Sequence, residues 1–182
     1  MSLLRDGALT GRHVLACGGA VLSASRCEEL GADVTRLDVE LLDEERVAEA
    51  VDALAPVDVL VVDADAPFRA AGGGLPGLRR GVDGAWNALR AVVRAHWLEG
   101  AGGAAVLLAP ALGAGEHAGA ARAALENTAR TTSTEWARLR ITPVAVLPGA
   151  TTSDEEVADL TAFLASPAGA YYSGTAFTLG AV

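Results

Sequence analysis

The sequence predicts a single α/β domain over residues 1–182, with a mostly parallel sheet held between layers of helix. Three observations carry this. Short apolar runs bounded by turn residues alternate with stretches of helical periodicity, the order that βαβ units produce. Val57 to Val62 is almost continuously apolar, which suits a strand buried on both faces. The chain has 182 residues, 51% of them hydrophobic, enough for one well-buried core.

In chain order, His13 to Ala16 reads as the first strand and Gly18-Gly19 breaks it. Ser25 with Glu28 forms an expected capping box for a helix of about two turns that ends at Gly31. Val34 to Leu37 is a strand. Asp43 to Leu54 is a helix with Val47, Ala50, Val51 and Leu54 on one face, and the Val57 to Val62 strand completes a β-α-β unit. Arg69 to Gly77, rich in Gly and Pro, reads as a loop. Val82 to Leu98 has helical periodicity, Ala104 to Leu108 is a strand, and an Ala-rich helix runs from about Ala118 to Leu139. The strand Thr142 to Leu147 is stopped by Pro148-Gly149. A helix over Asp154 to Leu164 and a strand over Thr175 to Leu179 close the chain.

All 14 cationic residues are Arg, so the chain has no lysine, and its only tyrosines are Tyr171 and Tyr172. The formal charge of -9 disfavours nucleic acid and anionic lipid as partners, since either would repel the protein. No apolar stretch approaches the roughly 20 residues that cross a bilayer, and nothing at the N-terminus reads as a signal peptide. Cys17 and Cys27 suggest neither a disulfide framework nor a zinc site. A cytoplasmic protein is expected.

Five segments together resemble the short-chain dehydrogenase/reductase family. Leu37-Asp38-Val39 with Asp43 to Val47 is similar to the family's third strand and following helix. Val57-Asp58-Val59-Leu60-Val61 resembles its fourth strand, and Gly84-Ala85-Trp86-Asn87 the start of its long interface helix. Ala121 to Glu126 resembles the helix that carries the catalytic Lys. Phe163-Leu164-Ala165-Ser166-Pro167 with Tyr172-Ser173-Gly174 looks like the C-terminal signature. The resemblance implies a Rossmann-like three-layer sandwich, here shortened at the first βαβ unit and lacking the lid that closes over substrate after Pro148-Gly149.

The departures fall where the family keeps its chemistry. Against the Lys-bearing helix, Arg122 stands at the Lys position and Ala118 at that of the Tyr that protonates the carbonyl oxygen. Pro110 takes the place of the carbonyl-orienting Ser, and Gly81 that of the helix Asn. A catalytic tetrad is therefore not expected. Gly18 and Gly19 are what remains of the glycine-rich cofactor loop, with Asp38 as a further remnant, and Asp63 and Asp65 put two carboxylates where a phosphate-bearing cofactor would lie. No cofactor is expected on this chain.

Both assembly surfaces that the resemblance implies look retained, with Trp86 and Trp136 on the two helices that pack across a twofold axis in the family. The resemblance therefore implies a non-catalytic subunit that pairs with a full-length catalytic relative, which holds NAD(P) and acts on a substrate such as a hydroxyacyl thioester, or a homodimer. Two alternatives stand beside it. One is a repurposed non-redox enzyme or ligand binder that uses Glu116 and His117 as an acid-base pair, with Asp63 and Asp65. The other is a residual NAD(P)-dependent oxidoreductase. Duller readings compete at each position: Glu116-His117 as a solvated pair at a helix start, Asp63 and Asp65 as solvated strand-end carboxylates, and Cys17 as a small buried apolar residue and not a thiolate.

Overall fold

The computed structural model describes residues 4–99 and 102–180. Six strands form one sheet, β1 (His13–Cys17), β2 (Asp33–Leu37), β3 (Val59–Asp63), β4 (Gly103–Leu108), β5 (Ile141–Pro148) and β6 (Ala176–Leu179), and every pairing is parallel. Their spatial order is β2-β1-β3-β4-β5-β6. The chain direction across the sheet reverses between β1 and β3, which opens a crevice at the carboxyl ends of those strands.

The helices are α1 (Val21–Glu29), α2 (Glu44–Asp52), α3 (Asp65–Ala70), α4 (Gly74–Val92), α5 (Ala118–Glu135) and α6 (Asp154–Ala165). Alternate residues of each strand feed opposite layers, as the pleat requires. Leu15, Leu60, Val62, Ala105 and Leu107 pack with Val47 and Val51 of α2, Leu89 and Val92 of α4, and Leu125 of α5. Val14, Ala16, Val59, Val61 and Val106 pack with Ala24 and Cys27 of α1 and Ala162 and Leu164 of α6. Each Leu or Val so buried contributes about 1.5–3 kcal/mol, so the continuous apolar strands are the main source of cohesion.

Two expectations are corrected. α1 starts at Val21, straight after the Gly18-Gly19 turn, and its N-cap Ala20 offers no side-chain acceptor. Ser25 and Glu28 therefore lie inside the helix and form no capping box; both face Arg36, whose guanidinium donates to Glu28 at 2.7 Å. The stretch expected as a loop from Arg69 to Gly77 is mostly helix, since α3 ends at Ala70 and α4 begins at Gly74. Pro76 is tolerated because it lies in the first turn of α4, where an N–H has no intrahelical acceptor. In keeping with the expected shortening at the first βαβ unit, the strand that leads into Asp38-Val39 pairs directly with β1, His13 opposite Asp33.

The long helix expected to end at Leu98 passes into a single wide π turn at Val93–Trp97. That turn buries Trp97 completely and lets its indole N–H donate to the Val57 carbonyl at 2.7 Å.

Candidate functional site

The crevice lies at the carboxyl ends of β1, β3, β4 and β5 and encloses about 460 Å³. Asp63, Asp65 and Asp154 contribute carboxylates to its lining, and Val21, Leu22, Leu108 and Val157 contribute apolar walls. Gly19 of the crevice lining and its neighbour Gly18 are tightly constrained. Gly18 has φ of 72°, and a Cβ there would lie 2.0 Å from the Asp63 carbonyl oxygen; at Gly19, with φ of 98°, a Cβ would meet that of Ala66 at 3.0 Å. The end of β3 thus abuts Gly18 and the first turn of α3 abuts Gly19.

Asp63 and Asp65 are not simply solvated strand ends. Asp63 Oδ1 accepts from the amides of Asp65 and Ala66 at 2.8 and 3.4 Å, which satisfies the start of α3. Asp65 accepts from the Ala111 amide at 3.0 Å and from Arg69 Nε at 2.6 Å, and so ties α3 to the segment after β4. Burial pushes the Asp63 carboxyl up to about 6, with the charges of Asp65 and Asp154 adding to the rise and the two amides opposing it.

A raised carboxyl pKa means that the folded state holds the proton more tightly than the unfolded chain. The associated stability is complete below the ordinary value of 3.8 and is lost as pH rises through about 6. Asp63→Asn keeps the amide acceptor and removes the charge. Urea unfolding of this variant is expected to lack the decline between about pH 4 and pH 6, and at neutral pH it should exceed the wild type by about 1–3 kcal/mol. A parallel decline in both proteins would show that Asp63 does not carry it.

The four positions aligned with the tetrad all have structural occupations. Gly81 is buried in α4, where a Cβ would stand 3.1 Å from the Ala64 carbonyl oxygen, so its smallness sets the approach of α4 to the end of β3. Pro110 follows β4, and its carbonyl accepts from Arg122 Nη1 at 2.8 Å. The same nitrogen donates to the Pro148 carbonyl at 2.5 Å, and Nη2 donates to Leu147 at 3.3 Å. Arg122 thus ties together the ends of β4 and β5. Ala118 begins α5, and with Ala121 it packs against the fully buried Phe68 of α3.

Glu116 and His117 stand apart from the crevice. His117 caps α5 in a left-handed conformation (φ 67°), its Nε2 lies 3.7 Å from Glu116 Oε1, and both side chains are exposed. Neither contributes to the crevice lining that Asp63 and Asp65 share. Asp38, just past β2, lines a separate recess with Gly19, Ala20 and Val21. Cys17 and Cys27 are buried free thiols pushed up to about 12 by desolvation. Trp97 is a core residue, whereas Trp86 and Trp136 stack at 6.1 Å between centroids across α4 and the end of α5, with Trp86 39% exposed. Among the described residues no three His, Cys, Asp or Glu side chains gather as metal ligands, and no helix is long and apolar enough to cross a membrane.

Sequence reasoning passed over Phe68, whose signal was one aromatic in a Gly- and Pro-rich stretch. It also missed the capping box that starts α6, where Ser153 and Glu156 bond reciprocally; the Ser-x-x-Glu spacing was there to be read.

No protein-family model and no curated protein matches the chain. Solved structures do. The citronellol catabolism dehydrogenase AtuB of Pseudomonas aeruginosa PAO1 superposes with a TM-score of 0.81 at 24% identity, covering 98% of this chain and 97% of that one. Hydroxysteroid dehydrogenase from Escherichia coli gives 0.74 at 17% identity, over 96% and 98%. BdcA in complex with NADPH gives 0.73 at 19% identity, over 94% of each. The chain therefore has the fold of the short-chain dehydrogenases, in a 182-residue form.

Proposed function

We propose that this chain is a non-catalytic, dehydrogenase-like subunit that pairs with a full-length catalytic short-chain dehydrogenase and supports its assembly or flanks its active site. The observation that carries the reading is Arg122. At the position aligned with the family's catalytic lysine, the cation is engaged by three main-chain carbonyls, those of Pro110, Leu147 and Pro148, and burial lowers its proton affinity against the opposing charge of Glu126. A guanidinium so held, with an alkyl Ala118 beside it, supplies no proton, and both its terminal nitrogens already donate to the main chain.

The cofactor crevice argues the same way. A dinucleotide does not fit these residues, because the end of β3 abuts Gly18 and α3 abuts Gly19, and Asp63 and Asp154 would face its phosphates. NAD(P) is assigned to the partner. The stacked, part-exposed Trp86 and Trp136 provide an apolar anchor on the α4–α5 face, and the two buried free thiols suit a reducing cytoplasm.

Co-expression with candidate full-length dehydrogenases, followed by mass determination in solution and NAD(P) titration, tests this. A mixed oligomer whose cofactor count equals the number of partner chains is expected, and Trp86→Ala should weaken it roughly tenfold or more. A homodimer that binds NADPH on its own would overturn the reading.

A further inference from the structure

Three of the large apolar side chains that the fold leaves in water lie at the C-terminal end of the sheet. Val21 is 59% exposed and Leu22 48%, both in the first turn of α1; Leu112, just past β4 and 43% exposed, is held there by its amide on the Pro148 carbonyl at 3.1 Å. Val21 and Leu22 form part of the wall of the 460 Å³ crevice, and Leu112 lies one residue beyond its lining at Ala111. An exposed apolar rim around a recess of this size, within the roughly 300–1,000 Å³ usual for small-ligand sites, is costly unless something covers it.

Charge decides the occupant. Arg69 is the only cationic side chain in the crevice lining, and its Nε is already paired with Asp65. Asp63 and Asp154 have no ion-pair partner among the described residues, and Asp63 is largely buried with one oxygen engaged by the amides of Asp65 and Ala66. The crevice therefore has apolar walls and two uncompensated carboxylates. An anion would meet repulsion there, whereas a cation would supply the counter-charge that a desolvated carboxylate lacks.

We propose that the crevice is a binding site for an amphiphilic organic cation, a primary or secondary ammonium on a compact hydrocarbon, with the ammonium at Asp63 and Asp154 and the hydrocarbon against Val21, Leu22 and Val157. This goes beyond a structural-subunit role and does not depend on it. The groups that face Asp63 are Asp65 and Arg69 of α3 and Asp154 of α6, of which Arg69 is neutralised by Asp65. Binding therefore strengthens as pH rises through the Asp63 transition near 6.

The test is a titration of the full chain with three probes of matched shape, cyclohexylammonium, cyclohexanol and cyclohexanecarboxylate, followed by amide chemical shifts. Cyclohexylammonium is expected to bind at least tenfold more tightly than the other two and to perturb Ala20 to Ser23, Ala66 and Gly149. Asp63→Asn should weaken it about tenfold, as loss of a charged hydrogen-bond partner does. Asp154→Asn, at an exposed helix start, should weaken it less and leave the fold intact. Equal or tighter binding of the carboxylate, or ammonium binding unchanged by both substitutions, would overturn the proposal. NADPH in the same titration reads the subunit hypothesis separately: its binding would sink that reading, whereas failure of the ammonium would leave it standing.

Discussion

Trp97→Ala is expected to lower the stability of the domain by about 4 kcal/mol or more, the largest effect of any single substitution considered for this chain. The indole is fully buried and fills the space at the start of β4 so closely that a Cβ on Gly103 would lie 2.1 Å from the ring. Its removal leaves a cavity that β4, held on both sides by β3 and β5, cannot close, and it strips the Val57 carbonyl of its donor. Trp97→Phe keeps most of the volume and loses the hydrogen bond, so a loss of about 1–3 kcal/mol is expected. Gly103→Ala alone should be comparably damaging, because its methyl has nowhere to go. Combined with Trp97→Ala, it should cost clearly less than the sum, because the methyl enters the space that the ring vacated. Chemical denaturation of the two single variants and the double variant measures this, and strict additivity would mean that the two positions do not share that space.

Arg122→Ala is expected to cost about 2–4 kcal/mol, a fall in Tm of roughly 10 °C for a domain of this size. Three strand-end carbonyls lose a charged donor at once, and β4 and β5 lose the bridge that holds Pro110 beside Leu147 and Pro148. Arg122→Lys should recover only part of the loss, because one ammonium cannot reproduce a planar fork that reaches both strands. Thermal melts, with hydrogen exchange at Leu112, whose amide bonds to Pro148, report on the clamp. A variant that melts like the wild type would return Arg122 to the list of groups free for a ligand and would weaken the subunit reading at its foundation.

Much of the fold was legible in the sequence because its main determinants are periodic. Val59 to Val62, Ala105 to Leu108 and Val144 to Leu147 are apolar on both faces, a pattern that only a parallel sheet under two helical layers accounts for. What escaped was set by tertiary contact. α1 begins on Ala20, which has no capping side chain, so the reading moved its start to the first plausible Ser. α3 is six residues long and contains Pro67; it persists because Asp63, two residues before it, satisfies its first amides and because Asp65 and Arg69 pair one turn apart. The site was half legible. That Ala118 and Pro110 have no side-chain donor follows from residue identity. The destination of Arg122 does not, because main-chain carbonyls have no sequence signature.

The seating of Gly18 against the end of β3 has a consequence for how such chains change over generations. The 2.0 Å approach of a virtual Cβ to the Asp63 carbonyl makes glycine obligatory there whether or not any nucleotide is ever bound. A lineage released from redox chemistry would remain free to vary at Ala118 or Pro110 and yet be held to this one residue by packing. The most recognisable letter of a cofactor loop can therefore outlast the cofactor, and in a shortened chain its presence says more about a neighbouring strand end than about a ligand.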